Sequence, residues 1–266
     1  MPNAASESLP HRASYTDVGN GTVRDNVTGL LWEKMASTPA LAWPAAKTYC
    51  AGLTLAGRTW HLPTRIELIS IMDYAKSGVK LDTSAFPGAP GAFHWTSSAW
   101  VVSQIASKPQ DAWAINLSDG FVSNSYAQTG VLSVRCVSSS VHGAMPKLYS
   151  QAGPGEIQDT ETGLVWTQAS STTSMDQPTA IAYCAGLALN GHTWRLPSIK
   201  ELSTTVDETP AITKVSPAID TTVFSDTTPN AIYMSASTHG GAPFAVTYTD
   251  GIVTPSKTAG QVRCVR

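Results

Sequence analysis

Four cysteines are the residues of this sequence whose positions most strongly suggest a chemistry. They are Cys50, Cys136, Cys184 and Cys264. No C-x-x-C pair and no Cys/His cluster with metal-binding spacing is present. Disulfide formation is therefore the favoured chemistry, with four reduced thiols in a cytosolic protein as the alternative. Four cysteines allow three pairings, so the choice among them depends on how the chain is organised.

The segment DVGNGTVRD near the start of the chain is the one candidate for cation binding. Asp17, Asn20 and Asp25 follow one another in the alternating pattern of oxygen ligands that a Ca²⁺ loop uses. The same segment contains Asn20-Gly21, the strongest two-residue signal for a β-hairpin. The segment therefore has a metal interpretation and a hairpin interpretation, which an internal repeat helps to separate.

Catalytic motifs are absent from the sequence. No G-x-S-x-G, H-E-x-x-H, P-loop or dinucleotide-binding fingerprint occurs. The six histidines are also not placed as a general base would be, because His61 corresponds to Arg195 in the repeat described next. We predict no catalytic residue and no cofactor.

The chain is an internal duplication. Over the stretches 48–68 and 182–202, 13 of 21 positions are identical, with a constant shift of 134 residues. Later matches, such as Asp119-Gly120 with Asp250-Gly251, have a different shift, so loops in that half differ in length. We predict a leader at 1–14, a first copy at 15–137, a linker at 138–147 and a second copy at 148–266.

The duplication selects one cysteine pairing. Only Cys50 with Cys136 and Cys184 with Cys264 leaves each copy self-contained. Disulfides persist in oxidising compartments, so this pairing predicts an extracellular or cell-surface protein, with the periplasm as a further location. The opening residues, MPNAASESLPHR, show neither the basic start nor the apolar core of a signal peptide.

The duplication also argues against a metal site. In the second copy Gln151 replaces Asp17 and Pro154 replaces Asn20, whereas the turn glycine is kept as Gly155. The turn is repeated and the ligand set is not, so we interpret the segment as a hairpin and predict no metal.

Local signals predict that each copy is an α+β domain. A helix begins at Pro44 and again at Pro178, because proline is tolerated in the first helical turn. A second helix follows at Thr64 and at Ser198, each three residues before a glutamate, as in a capping box. Alternating aromatic, β-branched and polar residues from about Phe93 and Ile232 onward predict antiparallel strands. Each copy should hold a small antiparallel sheet, two helices and long loops.

Composition excludes several classes of partner. The chain has 17 Lys plus Arg against 19 Asp plus Glu, a formal net charge of -2 and only 14% charged residues. Nucleic acid binding relies on clustered basic residues, so no nucleic acid partner is predicted. No apolar run approaches the ~18 residues of a membrane span, so no membrane insertion is predicted.

The first copy resembles a known bacterial family through four motifs. They are G-N-G-T-V-x-D-N-x-T-G-L-x-W, A-x-x-Y-C-A-G-L-x-L-A-G, W-x-L-P-T-x-x-E-L and the closing V-R-C-V. Through these motifs the chain resembles the family of the C-terminal domain of the Legionella collagen-like protein. The resemblance, which extends over both copies, implies two tandem C-type lectin-like domains with a disulfide from the first helix to the last strand. It also implies an exported adhesin-like protein, whereas the sulfated-glycan specificity of some members is not expected in a chain with so few basic residues.

The half of each copy that differs in length is where we expect a ligand. Loops on a rigid scaffold carry most binding residues, and aromatic rings stack on sugars. The predicted ligand contacts are Trp95, Trp100, Trp113, Tyr233, His239 and Tyr248. Tyr126 and Phe244 are further aromatic residues of this half, and a role in the core or in a strand is the alternative for any of these rings.

These observations lead to one main function hypothesis and two alternatives. The main hypothesis is a non-catalytic extracellular recognition module that binds a glycan or a cell-surface protein. The first alternative is a structural subunit of a surface filament or sheath, which would form homo-oligomers. The second is an enzyme similar to the formylglycine-generating enzymes, which share this fold class; their reactive cysteines have no counterpart here once every cysteine is in a structural pair.

Overall fold

In the computed structural model, the described residues are 1–3, 9, 11–100, 111–139, 148–208, 216–255 and 258–266. They form two compact units, one on each side of the gap at 140–147. Each unit contains short antiparallel sheets and two short α-helices. The predicted α+β class is confirmed.

The first copy begins and ends in one small sheet, in which four strands are ordered β1-β2-β3-β9. A separate antiparallel run joins β5, β6 and β7, and β4 pairs with β8. Within its described residues, the strands and helices are β1 (Tyr15–Gly19), β2 (Thr22–Asp25), β3 (Leu31–Glu33), β4 (Leu41–Ala42), α1 (Trp43–Ala51), α2 (Arg65–Ser70), β5 (Phe93–Trp100), β6 (Asp111–Asn116), β7 (Val122–Ala127), β8 (Val131–Leu132) and β9 (Val137–Ser138).

The second copy repeats this arrangement with fewer strands among its described residues. Its first three strands form a meander and its last three form a second antiparallel run. Within its described residues, the elements are β10 (Tyr149–Gly153), β11 (Glu156–Asp159), β12 (Val165–Thr167), α3 (Gln177–Ala185), α4 (Ile199–Thr204), β13 (Ile232–His239), β14 (Ala242–Thr247) and β15 (Ile252–Thr254).

The hairpin between β1 and β2 forms as predicted. Asn20 and Gly21 have φ of 49° and 80°, so both central residues are left-handed, as a tight two-residue hairpin requires. In the second copy Gly155 keeps a positive φ of 74° after Pro154. Tyr15 pairs with Asp25 across the first hairpin, and the equivalent residues pair across the second.

Both predicted helices are present in each copy. α1 and α3 each have nine residues and proline in the first turn. α2 and α4 each begin with a complete capping box. The hydroxyl of Thr64 or Ser198 accepts from the backbone amide of the glutamate three residues later, and the carboxylate of that glutamate accepts from the backbone amide of Thr64 or Ser198. None of the helices in the described ranges is both long enough and apolar enough to cross a membrane.

A disulfide closes each core. Cys50 bonds to Cys136 with a Cα–Cα distance of 5.4 Å, and Cys184 bonds to Cys264 with a distance of 5.6 Å. The structure therefore forms both predicted pairs. Each disulfide lies in an apolar cluster that includes Trp60 in the first copy and Trp194 in the second. The first helix is thereby fixed to the last segment of its own copy.

Candidate functional site

Four of the six predicted ligand contacts are core residues. Trp95 and Trp113 are 0% and 1% exposed, and Tyr233 and Tyr248 are both 0% exposed. The indole N–H of Trp95 donates to the carbonyl of Leu41 at 2.8 Å. A ring without solvent access cannot stack on a ligand, so the structure corrects these four assignments to a packing role.

The other two predicted contacts have different positions. The backbone of Trp100 lies at the end of β5, and its side chain is outside the described part of the structure. His239 lies at the end of β13, is partly exposed, and has its ring 6.2 Å from that of Phe244. His239 therefore remains a candidate for a ligand contact.

Three other aromatic residues of the first copy remain partly exposed and adjacent. Phe93 has its ring 4.4 Å from Tyr126 and 6.4 Å from Phe121. We call these three residues the aromatic face. Of these three residues, the sequence pointed only to Tyr126, because alternation along a strand does not reveal how exposed each ring is. Trp95 contacts one of the three from the core, with its ring 6.4 Å from that of Tyr126.

The acidic residues of the proposed cation loop have other partners. Asp25 is fully buried and accepts bonds from the amide of Val27 at 2.9 Å and the hydroxyl of Thr28 at 2.7 Å. Asp17 pairs with Lys34 at 2.6 Å. These contacts close the turns around the hairpin. Among the described residues, no cluster of three or more His, Cys, Asp or Glu side chains could hold a metal ion.

The exchange of His61 for Arg195 between the copies has a structural role. His61 Nε2 lies 3.2 Å from both carboxylate oxygens of Glu67, and Arg195 makes two bonds of 2.6 and 2.7 Å to Glu201. Each glutamate is also the acid of a capping box. The two side chains therefore orient equivalent glutamates, one in each copy, so their position suits a structural donor better than a general base.

A buried arginine fixes the end of each copy. Arg135 and Arg263 are 1% and 0% exposed. In the first copy the Nη1 group donates to the carbonyls of Glu33 and Lys34, both at 2.6 Å. The guanidinium groups lie over the rings of Phe86 and Phe224, at 5.0 and 4.4 Å from the ring centroids. Two carbonyls and one ring therefore set the orientation of each arginine.

His94 makes the stability of the first copy dependent on pH. Burial, and secondarily the charge of Arg135, lower the pKa of this histidine from 6.5 to about 4. Between these values the unfolded chain binds a proton that the folded chain excludes. Acidification from pH 6.5 to 4 should therefore lower the free energy of unfolding by roughly 3 kcal/mol. The measurement is urea unfolding of the intact chain across this pH range.

A matched pair of variants isolates this effect. His94→Gln should flatten the dependence of stability on pH between 6.5 and 4, whatever its effect on stability at neutral pH. Ile181→Ala, at an uncharged side chain of α3 that is 47% exposed, is the control and should leave the slope unchanged. An unaltered slope in the His94 variant would contradict the assignment.

The two copies together define a class of protein: a duplicated α+β domain in which one disulfide joins the first helix to the final segment. The family model described as the Lcl C-terminal domain matches residues 21–138 and 155–266, one match for each copy. These matches cover most of the chain, so the protein belongs to the Lcl C-terminal domain family, and the resemblance seen in its motifs is confirmed. The search of curated proteins found no match.

Proposed function

We propose that this protein is a non-catalytic extracellular recognition module of a bacterium. Its family is a non-enzymatic domain family that suggests a surface-related role. Two disulfides among the described residues suit an oxidising compartment. The observation that carries the proposal is the aromatic face, because partly exposed adjacent rings are typical of surfaces that bind sugars or proteins.

We further propose that each copy adopts a C-type lectin-like fold. Three features support this proposal. The α+β content is low in helix, a disulfide runs from the first helix to the last segment, and the strands at the two ends of the first copy meet where β3 pairs with β9. Such a scaffold displays the loops between its second helix and last strand.

The proposed partner is a glycan or a cell-surface protein that contacts the aromatic face. Aromatic rings stack on the apolar faces of sugars and anchor protein interfaces. The net charge of -2 does not favour a polyanionic glycan, so a neutral partner is expected. In the second copy Ile232 takes the place of Phe93 at the start of the strand, and Ile252 takes the place of Phe121. The two copies therefore present different surfaces.

Replacement of Tyr126 tests this proposal. Tyr126→Ala should lower affinity for the partner by about tenfold or more, the usual effect of truncating an anchoring aromatic residue. A glycan array and a cell-surface binding assay identify the partner, and calorimetry then compares the variants. Tyr183→Ala is the matched control, because Tyr183 is 38% exposed on α3 and lies outside the aromatic face.

Three measurements accompany this comparison. Thermal unfolding should show that the Tyr126 variant remains folded at the assay temperature. Equal loss of binding in both variants would contradict a role for the aromatic face. Light scattering over a range of concentrations separates recognition from assembly, because large concentration-dependent oligomers without partner binding would favour the filament or sheath subunit.

A further inference from the structure

Three buried polar atoms of the first copy have no hydrogen-bond partner among the described residues. They are Nε and Nη2 of Arg135 and Nε2 of His94. The two side chains are 1% and 0% exposed. In the second copy the equivalent residues are Arg263 and Tyr233, and the Nη2 group of Arg263 lies 3.4 Å from the Tyr233 hydroxyl. Unpaired buried polar atoms are costly and uncommon in folded proteins, so this cluster needs an explanation.

The second copy shows what such a cluster can bind. Arg263 is held by the same two contacts as Arg135, through Nη1 to two backbone carbonyls and through its plane to a phenylalanine ring. Its Nη2 group therefore points in the equivalent direction. There it donates to Asp226 Oδ1 at 2.8 Å, to Thr227 Oγ1 at 3.1 Å and to the Tyr233 hydroxyl at 3.4 Å.

The first copy lacks all three of these oxygen acceptors. Counted from the shared Asp82-Thr83 and Asp220-Thr221, the equivalents of Asp226 and Thr227 are Gly88 and Ala89. His94 takes the place of Tyr233, since each is the second residue of its strand, β5 or β13. One substitution alone would leave other acceptors in place. The joint loss leaves the Nη2 group of Arg135 directed at a position where no side chain of the described residues supplies oxygen, whereas Nε lacks an acceptor in both copies.

This position is within reach of solvent. The carboxylate that occupies it in the second copy belongs to a side chain that is 37% exposed. In the first copy Gly88 lies beside Met35, whose methyl group would be 3.3 Å from an added Cβ. Met35 is itself 52% exposed and unbranched, so its side chain can move aside at low cost. We expect a small molecule to reach Arg135 between these two residues only when the Met35 side chain moves.

Glu33 does not replace the missing carboxylate. Its carboxylate accepts from the hydroxyl of Tyr49 at 2.5 Å and from the amide of Cys136 at 3.0 Å. It contributes to the charge balance around Arg135, because its charge partly opposes the lowering of the arginine pKa by burial. It leaves the Nε and Nη2 groups of the arginine without an acceptor. A water molecule or a ligand from outside the chain can satisfy the Nη2 group.

The state of His94 sets the second requirement on that group. Nδ1 lies 3.0 Å from the carbonyl of Ala92, which can only accept, so Nδ1 carries the proton. The lowered pKa keeps the ring neutral near pH 7. Nε2 is therefore an acceptor, and a carboxylate alone would not satisfy it. The complementary ligand bears both a carboxylate and a hydroxyl.

We propose that the first copy binds a small hydroxy-carboxylate between Arg135 and His94, beside Gly88. The ligand's carboxylate accepts from the Nη2 group of Arg135, in the place that Asp226 occupies in the second copy. Its hydroxyl donates to Nε2 of His94. The proposal goes beyond the proposed recognition function, because this ligand is an anion and its site uses different residues from the aromatic face.

Side-chain NMR of the intact, disulfide-bonded chain tests this site with three probes. Glycolate carries both groups, acetate lacks the hydroxyl, and glucuronate is a sugar that carries both. At constant ionic strength, glycolate should shift the Arg135 Nε–H and His94 Nε2 resonances saturably and leave those of Arg263 unchanged. Acetate should bind about tenfold more weakly, because it leaves the histidine acceptor unsatisfied. Glucuronate binding would identify an acidic sugar as the source, and glycolate binding alone would identify a free hydroxy acid.

Two variants provide controls in both directions. Ala89→Thr places the hydroxyl of the second copy beside Arg135 and should weaken glycolate binding at least fivefold. Asp226→Gly combined with Thr227→Ala removes two of the three acceptors of the second copy and should make Arg263 respond to acetate. The absence of a saturable shift in the wild-type chain, or an equal response of both arginines, would overturn the proposal. Partner binding through the aromatic face would still be detected, so failure of this site is distinct from failure of the proposed function.

Discussion

Removal of the Cys50–Cys136 disulfide should lower the free energy of unfolding of the first copy by roughly 4 to 5 kcal/mol. The bond joins residues 86 positions apart, so its loss restores a large conformational freedom to the unfolded chain. A domain of this size commonly has only about 5 to 15 kcal/mol of stability in total. The double variant Cys50→Ala with Cys136→Ala should therefore leave the first copy close to unfolded at 37 °C.

The second disulfide provides the matched comparison. Cys184 and Cys264 are 80 positions apart, so the Cys184→Ala, Cys264→Ala variant should destabilise the second copy by a similar amount. Hydrogen exchange resolved along the chain distinguishes the copies, and each double variant should lose protection mainly in its own copy. Unchanged protection in both variants would contradict the view that these bonds hold the first helix to the final segment.

Replacement of Trp95 should cost about 3 to 5 kcal/mol of stability and should act on binding only through unfolding. Trp95 is fully buried in the core of the first copy, and its indole N–H donates to the carbonyl of Leu41. Trp95→Ala removes a large ring, and the cavity left behind collapses only partially. Urea unfolding followed by circular dichroism measures the loss.

This result separates the core role from the ligand role first predicted for the same residue. Trp95→Phe should retain most of the packing and lose much less stability. Binding by the folded fraction of either variant should match the wild type within a fewfold, unless the aromatic face above Trp95 shifts with it. A variant with normal stability and abolished binding would restore the prediction that Trp95 contacts the ligand.

The features that could be predicted from the sequence are those with local causes. Asn20-Gly21 specifies its turn because both residues tolerate a positive φ. The capping boxes at Thr64 and Ser198 depend on groups three residues apart, and proline marks the helix starts through its own fixed φ. The disulfide pairing is a long-range contact, yet the duplication made it predictable, because each copy needs its own pair.

The ligand contacts were predicted less well, for reasons that lie in the sheet. Consecutive residues of β5, His94, Trp95 and Thr96, are all 0% exposed. Both sides of the strand are therefore covered, so simple alternation does not separate buried from exposed rings. Trp95 is buried, whereas Phe93, two residues earlier on the same side of the strand, remains partly exposed.

The sequence by itself determined the duplication, the α+β class, the turn and cap positions, and the pairing of cysteines, because repeated motifs and short-range hydrogen bonds are visible in the order of residues. Only the tertiary structure decided which aromatic rings are exposed and which acceptors surround each buried arginine. Arg135 and Arg263 occupy the same motif, and their neighbours come from a loop and strand roughly 30 to 50 residues earlier in the chain. Burial depends on such distant contacts, which residue order alone does not encode in a readable pattern.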